Sequence, residues 1–332
     1  MTSVKELVVI STGGTIAMRP VDGTTGVVPN VSGSDLVSQL PPLPDPGIKV
    51  TVENYRNKPA GHLTFEELWG IADLIHQRAK NRDDIGFVIT MGTDILEEAA
   101  YFMDLLVGDQ APIVLTGAMR SGNQLGYDGY ANLYHALLTA SCPAARHTGA
   151  VLLLNEEIHA AREVQKVHSV NPAAFGSPGW GPLGIIVEDQ VWIRRMNLVR
   201  EIIPASPPFP RVELIRCTMA MDDFLVKAAF EKGIDGLVIE GLGVGHVSVP
   251  VRDVLVQAVE SGVPVVLATR CSAGTALTKS YGFPGSESDL VSKGVMVAKG
   301  LTGVKARLKL TLALASGDCG RRLQRRFSFD VG

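Results

Sequence analysis

The chain has 332 residues, 46% of them hydrophobic and 20% charged, with a formal net charge of -3 at neutral pH. Such a length exceeds one ordinary hydrophobic core and predicts two domains, the composition excludes a disordered chain, and the balanced charge gives no field to gather nucleic acid or an anionic membrane. No apolar run reaches the ~20 residues that span a bilayer and no leader-like segment precedes the first apolar run, so the expectation is a cytoplasmic protein with neither nucleic acid nor membrane as partner.

The first apolar run, Leu7 to Ile10, has the length of a buried strand and leads directly into Ser11-Thr12-Gly13-Gly14-Thr15-Ile16-Ala17. Glycines without a Cβ can take positive φ and bring their amides close to a ligand, where they can stabilise an oxyanion. Thr15 is therefore a candidate nucleophile. The plain structural alternative is a tight loop leaving a strand. A second strand is expected over Ile48 to Val52. A helix follows over Thr64 to Lys80, with Leu68, Ile71, Ala72 and Ile75 on one face and a capping box between Thr64 and Glu67.

The strand Gly86 to Thr90 precedes the loop Met91-Gly92-Thr93-Asp94. Asp94 with Glu97 reads as a second capping box, which accounts for the acid without catalysis. The functional reading sets Thr93 and Asp94 beside Thr15 at the carboxyl ends of adjacent strands. Further strands are expected over Ile113 to Leu115, Val151 to Leu154, Gly236 to Ile239 and Val263 to Ala268, with helices over Asp222 to Lys232 and Val251 to Ser261. Alternation of strand and helix predicts an α/β chain with a larger N-terminal parallel-sheet domain, helices on both faces, over residues 1-195. Four prolines between Met196 and Arg211 mark a linker (196-211), and a smaller C-terminal α/β domain fills 212-332. Ligands of such sheets bind outside the carboxyl ends of the strands, so the loops after Ile10, Thr90, Leu115 and Leu154 are expected to meet.

Lys166, in Arg162-Glu163-Val164-Gln165-Lys166, is ordinary surface charge taken alone. If it reaches Asp94, it can help remove a proton from Thr93 or Thr15. The four cysteines, Cys142, Cys217, Cys271 and Cys319, form no CxxC pair and have no histidine at ligand spacing, which points away from a metal and toward a reducing compartment. Arg321-Arg322 and Arg325-Arg326 read as a solvated helix face. The loop Gly241-Leu242-Gly243-Val244-Gly245 lacks dinucleotide spacing, and GxSxG and HExxH are absent.

Thr12-Gly13-Gly14-Thr15-Ile16, then Gly92-Thr93-Asp94 with Glu97 to Phe102, then Thr116 to Arg120 with Asp128-Gly129 and Asn132, resembles the bacterial-type L-asparaginases and glutaminase-asparaginases. The resemblance continues through Arg162 to Lys166, Gly181 to Gly184, Gly241 to His246 and Lys305 to Arg307. It implies an amidohydrolase without metal or organic cofactor: Thr15 accepts the acyl group, Thr93 and Lys166 activate it, and Asp94 binds the α-ammonium of asparagine. It further implies a homotetramer of close dimers with sites shared between subunits. Gly14, Ala60, Gly61, His62, Gly92, Ala118, His246 and Tyr281 are the candidates for lining the pocket.

Two departures bear on substrate. Ala60 stands where the family carries a serine that holds the substrate carboxylate, a loss of about 1.5–3 kcal/mol of binding if nothing replaces it. The stretch Met18 to Val28, with Thr24, Thr25 and Gly26, lacks the tyrosine that closes over the nucleophile in many relatives. Tyr281 from a neighbouring subunit is one replacement; a packed aromatic is the alternative. His62 and His246 are either hydrogen-bonded structural residues or pocket groups that sense pH. Three functions stay open: an asparaginase, the same mechanism on another amide or lactam, and a non-catalytic small-molecule-binding homologue.

Overall fold

The structure is a computed structural model, described here over residues 3–21, 23, 25–196 and 200–328. Thr24 and residues 197–199 of the expected linker lie outside the described residues. Residues up to Ile202 form one compact unit and those from Ile203 a second. The division falls within the proline-rich segment, which from 200 to 211 forms neither helix nor strand.

The first unit runs β1 (Glu6–Ser11), β2 (Met18–Pro20), β3 (Val27–Pro29), α1 (Gly33–Ser38), β4 (Lys49–Asn54), α2 (Phe65–Ala79), β5 (Ile85–Thr90), α3 (Leu96–Val107), β6 (Ile113–Thr116) and α4 (Gly129–Ser141). It continues with β7 (Ala150–Leu154), β8 (Glu157–Ala160), β9 (Gln165–Lys166), β10 (Phe175–Gly176), β11 (Gly184–Val187) and β12 (Gln190–Ile193). Eight strands make one sheet in the order β12-β11-β8-β7-β6-β5-β1-β4. From β4 to β7 the pairing is parallel; the runs of β1, β5, β6 and β7 are buried on both faces, as helix cover on two sides demands, while the edge strand β4 is only partly buried. Leu7, Val9, Val88, Val114, Val151 and Leu153 pack with Leu133, Ala136 and Leu137 of α4. The alternate residues Val8, Ile10, Phe87, Ile89 and Leu115 are equally buried, and α3 lies on β6 and β7 with α2 behind it.

The expected parallel sheet is present from β4 to β7, and it is extended at one end by antiparallel strands, β8 pairing with β7 and β11, and β11 with β12. Two-residue turns make the β7–β8 and β11–β12 reversals, Asn155-Glu156 and Glu188-Asp189, all four residues at positive φ between 49° and 66°. Both central residues of such a turn need the left-handed region, which asparagine and aspartate tolerate better than most residues but which no glycine advertises here. The loop after Leu154 is therefore this hairpin turn, and the chain reaches Lys166 only after β8. The capping box of α2 forms as expected, with Glu67 N–H on Thr64 Oγ1 at 3.3 Å and Thr64 N–H on Glu67 Oε2 at 3.1 Å.

In the second unit β13 (Val212–Arg216), β14 (Gly236–Gly241), β15 (Val265–Thr269) and β16 (Met296–Val297) form a parallel sheet in sequence order. Its helices are α5 (Phe224–Glu231), α6 (Val249–Glu260), α7 (Glu287–Ser292), α8 (Gly303–Ala315) and α9 (Gly320–Phe327). Leu237, Ile239, Val265 and Leu267 pack with Val251, Val254 and Leu255 of α6. The arginines of α9 are not all solvated: Arg322 and Arg326 both pair with Asp318, whose side chain is fully buried.

Candidate active site

Sheet order places the site. β1 lies between β4 and β5, so the chain crosses to one side of β1 and then returns to the other, and the loops leaving β1 and β5 part at a switch point. Register makes their exits level: Ser11 pairs with Asn54 and Thr90, and Thr90 pairs with Thr116. Gly13-Gly14, Met91-Gly92 and Gly117 therefore emerge along one edge.

Gly13 and Gly14 take φ of 97° and 81°. A Cβ at Gly13 would stand 2.7 Å from Lys58 N, and one at Gly14 would overlap the Gly92 main chain, so only glycine fits either position. The residues that follow the two touching glycines are Thr15 and Thr93. Thr15 opens a single 3₁₀ turn, Thr15–Ala17. The other hydroxyl of the motif has a structural use: Thr12 Oγ1 donates to Thr90 carbonyl at 3.0 Å, buried. Of the two threonines flanking the glycine pair, Thr15 alone keeps a hydroxyl with no hydrogen bond among the described residues.

Lys166 Nζ donates to Thr93 Oγ1 at 2.9 Å and stands 3.6 Å from Asp94 Oδ1. Thr93 is buried, the lysine side chain is 20% exposed, and the Asp94 side chain is 73% exposed, facing outward from the pair. The capping box expected of Asp94 and Glu97 does not form. The α3 N-cap is Ile95 with no side-chain bond, and Glu97 Oε2 accepts the Lys166 N–H at 3.2 Å instead. Both acids are drawn to the β9 strand that carries Lys166, and that strand is held on its other side by β10.

Ala60 is 2% exposed, and a Cβ at Gly92 would stand 2.8 Å from Ala60 Cβ. Its methyl thus packs on the glycine beside Thr93. Gly61 and His62 are exposed in the same turn, with open space where a Gly61 side chain would go. Ala118 has its side chain in the apolar core. His246 and Tyr281 belong to the second unit and are brought to each other: their rings meet edge to face at 4.9 Å, and His246 Nε2 lies 3.2 Å from Glu287 Oε2. Glu287 is fully buried and also accepts the N–H groups of Ser280 (2.7 Å) and Tyr281 (2.8 Å). Its carboxyl stands below the usual range, burial opposing and these backbone donors prevailing.

The loop that supports this edge carries part of the family resemblance, Thr116 to Arg120 with Asp128 and Asn132, in which sequence reasoning attached a site role to Ala118 alone. Asp128 accepts the N–H groups of Met119 (3.0 Å) and Arg120 (2.9 Å) and the Asn132 amide at 3.0 Å. Asn132 Nδ2 also donates to Gly117 carbonyl at 3.0 Å, and its Oδ1 accepts the Asn155 N–H at 3.0 Å. A Cβ at Gly117 would stand 3.2 Å from Thr93 Cγ2, so the network holds in place a main chain that runs close beside Thr93. An aspartate at a helix start with an asparagine four residues on was the available signal.

The family profile described as Asparaginase, N-terminal matches residues 6–198, and that described as Glutaminase/Asparaginase C-terminal domain matches residues 211–327. The L-asparaginase of Bacillus licheniformis is 36% identical over 312 residues, spanning 94% of this chain and 96% of the relative. L-asparaginase 2 of Escherichia coli is 30% identical over 337 residues, 97% of this chain and 92% of the relative. The crystal structure of a probable cytoplasmic L-asparaginase from Campylobacter jejuni superposes with a TM-score of 0.85 at 30% identity, covering 97% of this chain and 99% of that one. The chain belongs to the asparaginase family and, with it, to the hydrolases of amide C–N bonds.

Proposed function

We propose that the protein hydrolyses L-asparagine to L-aspartate and ammonia through an acyl ester on Thr15. The observation that carries this reading is the 2.9 Å bond from Lys166 Nζ to Thr93 Oγ1, one residue beyond the point where Gly14 and Gly92 touch. In this reading the resting Lys166 ammonium first gives a proton to solvent, Thr15 Oγ1 attacks the side-chain amide carbon, and its proton passes through Thr93 Oγ1 to the free Lys166 amine. Main-chain N–H groups around Gly14, Thr15 and Thr93 stabilise the oxyanion. The proton is returned to the leaving nitrogen, ammonia departs, and water attacks the ester to free aspartate and Thr15. Asp94, exposed and negative beside Lys166, receives the α-ammonium. Gly61, His62, the Ala118 main chain, His246 and Tyr281 remain proposed pocket groups.

A second substrate reading rests on Ala60, which presents a buried methyl where the resemblance calls for a carboxylate-holding hydroxyl. It keeps the mechanism and replaces asparagine with an amide or lactam that needs less carboxylate grip. Ammonia release from a panel of asparagine, glutamine and simple aliphatic amides, run on the wild type and Thr15→Ala, tests both. Asparagine preferred and lost with Thr15 supports the first; equal turnover of a simple amide replaces it with the second. The reading extends to a cytoplasmic homotetramer with shared sites, for which sedimentation velocity and cell fractionation are the tests. No described helix is long and apolar enough to cross a membrane.

A further inference from the structure

Thr15 sits on a single 3₁₀ turn, and one such turn has too few internal bonds to hold its own orientation. Its carbonyls are claimed one by one. Gly14 carbonyl accepts the Ala17 N–H at 2.9 Å, Thr15 carbonyl accepts the Met18 N–H, and Ala17 carbonyl accepts the N–H groups of Asn30 and Val31, both at 3.1 Å. Ile16 carbonyl is different. It accepts the Tyr127 phenol at 2.6 Å, with Arg19 Nη1 at 3.5 Å.

Tyr127 is itself fixed from several directions. The Arg19 guanidinium lies 5.0 Å from its ring centroid and Tyr130 meets it edge to face at 4.9 Å. A side chain at Gly122 would overlap the guanidinium, so that glycine makes room for the stack. The next residue is Asp128, anchored on Met119, Arg120 and Asn132. One loop therefore has two arms. Gly117 lies so near Thr93 that a side chain there would crowd its methyl, and the Tyr127 phenol holds the carbonyl beside Thr15.

We infer that Tyr127 is a positioning residue: through Ile16 carbonyl it sets the Thr15 turn against the Thr93–Lys166 pair. Burial pushes its phenol up to about 12, Arg19 opposing, so the group is a donor throughout the neutral range. The role rests on Thr15 being the nucleophile. It needs no contact between Tyr127 and substrate, so it acts on the rate of acylation and leaves asparagine affinity alone.

The test is Tyr127→Phe, with kcat and KM for asparagine and the rate at which a diazoketone analogue of asparagine labels Thr15. Expected is a fall of about tenfold in kcat and in labelling rate, as for one lost positioning hydrogen bond, with KM within about twofold. Wild-type kcat and labelling in folded Tyr127→Phe, or a loss confined to KM, overturns the inference. Thr15→Ala separates the two readings: if it retains activity, the nucleophile assignment fails; if it is inactive while Tyr127→Phe is normal, only the positioning role fails. Should Tyr127→Phe not fold, Arg19→Ala decides, since it withdraws the guanidinium from ring and carbonyl. Lowered kcat at unchanged KM supports the role and wild-type kinetics overturns it.

Discussion

Replacing Lys166 with methionine keeps the stem length and removes the ammonium. Two interactions go with it. The ion pair to Asp94 spans 3.6 Å, but Asp94 is 73% exposed, so Coulomb attraction in near-aqueous surroundings is about 1 kcal/mol, before the entropy of fixing both chains. The bond to Thr93 Oγ1 at 2.9 Å involves a charged donor and a buried hydroxyl, and its loss costs about 1.5–3 kcal/mol. Together these lower the melting temperature by on the order of 5 °C, and the protein stays folded at assay temperature. Removing a proton-transfer partner, in contrast, lowers kcat by about 10²–10⁴-fold. Thermal melts and ammonia release measured on the same Lys166→Met preparation separate the two scales. Folded Lys166→Met with kcat within a few-fold of wild type would refute the proton-transfer role and leave Lys166 as a strut for β9.

Ala60→Ser adds one hydroxyl next to Gly92, and asparagine KM is expected to fall about 10- to 100-fold with little change in kcat, read by ammonia release; unchanged KM in a folded variant would show that the site grips the carboxylate elsewhere. Glu67 is held down to about 2, burial opposing and Lys58, Arg56 and the Thr64 N–H prevailing. A depressed carboxyl contributes stability above its unfolded value near 4.5 that is lost as pH falls toward 2, so Glu67→Gln should flatten the fall in melting temperature across that window, and an unaltered slope would count against it. Asp128→Ala orphans the Met119 and Arg120 N–H groups and should cost about 2–4 kcal/mol in urea titrations, with kcat falling as Gly117 loses its backing.

The parallel half of the first sheet was plain from the sequence because its inner strands, buried on both faces, are unbroken apolar runs such as Leu7 to Ile10. The antiparallel end was not, because β8, β11 and β12 are four residues each and turn through Asn155-Glu156 and Glu188-Asp189, pairs without glycine. In the site, glycine and threonine spacing singled out Thr15 and Thr93 as candidates, and the family resemblance added Lys166. The same spacing could not say that Thr12 bonds Thr90 carbonyl, nor that Glu97 would leave its own helix for the Lys166 N–H. Both depend on partners 78 and 69 residues away. Asp128 and Asn132 entered only as carriers of the resemblance, without a role, and Tyr127 not at all, for a related reason: each acts by holding main-chain groups, which carry no sequence signal of their own.

The mechanism turns on Thr15 carrying the acyl group. Quenching the enzyme with asparagine during turnover, then mapping peptides by mass spectrometry, tests it directly. The account expects an aspartyl mass increment on the peptide containing Thr15, absent in Thr15→Ala and accumulating when Lys166 is replaced only if deacylation slows more than acylation. An increment on another residue, or full asparagine turnover by Thr15→Ala, would contradict it.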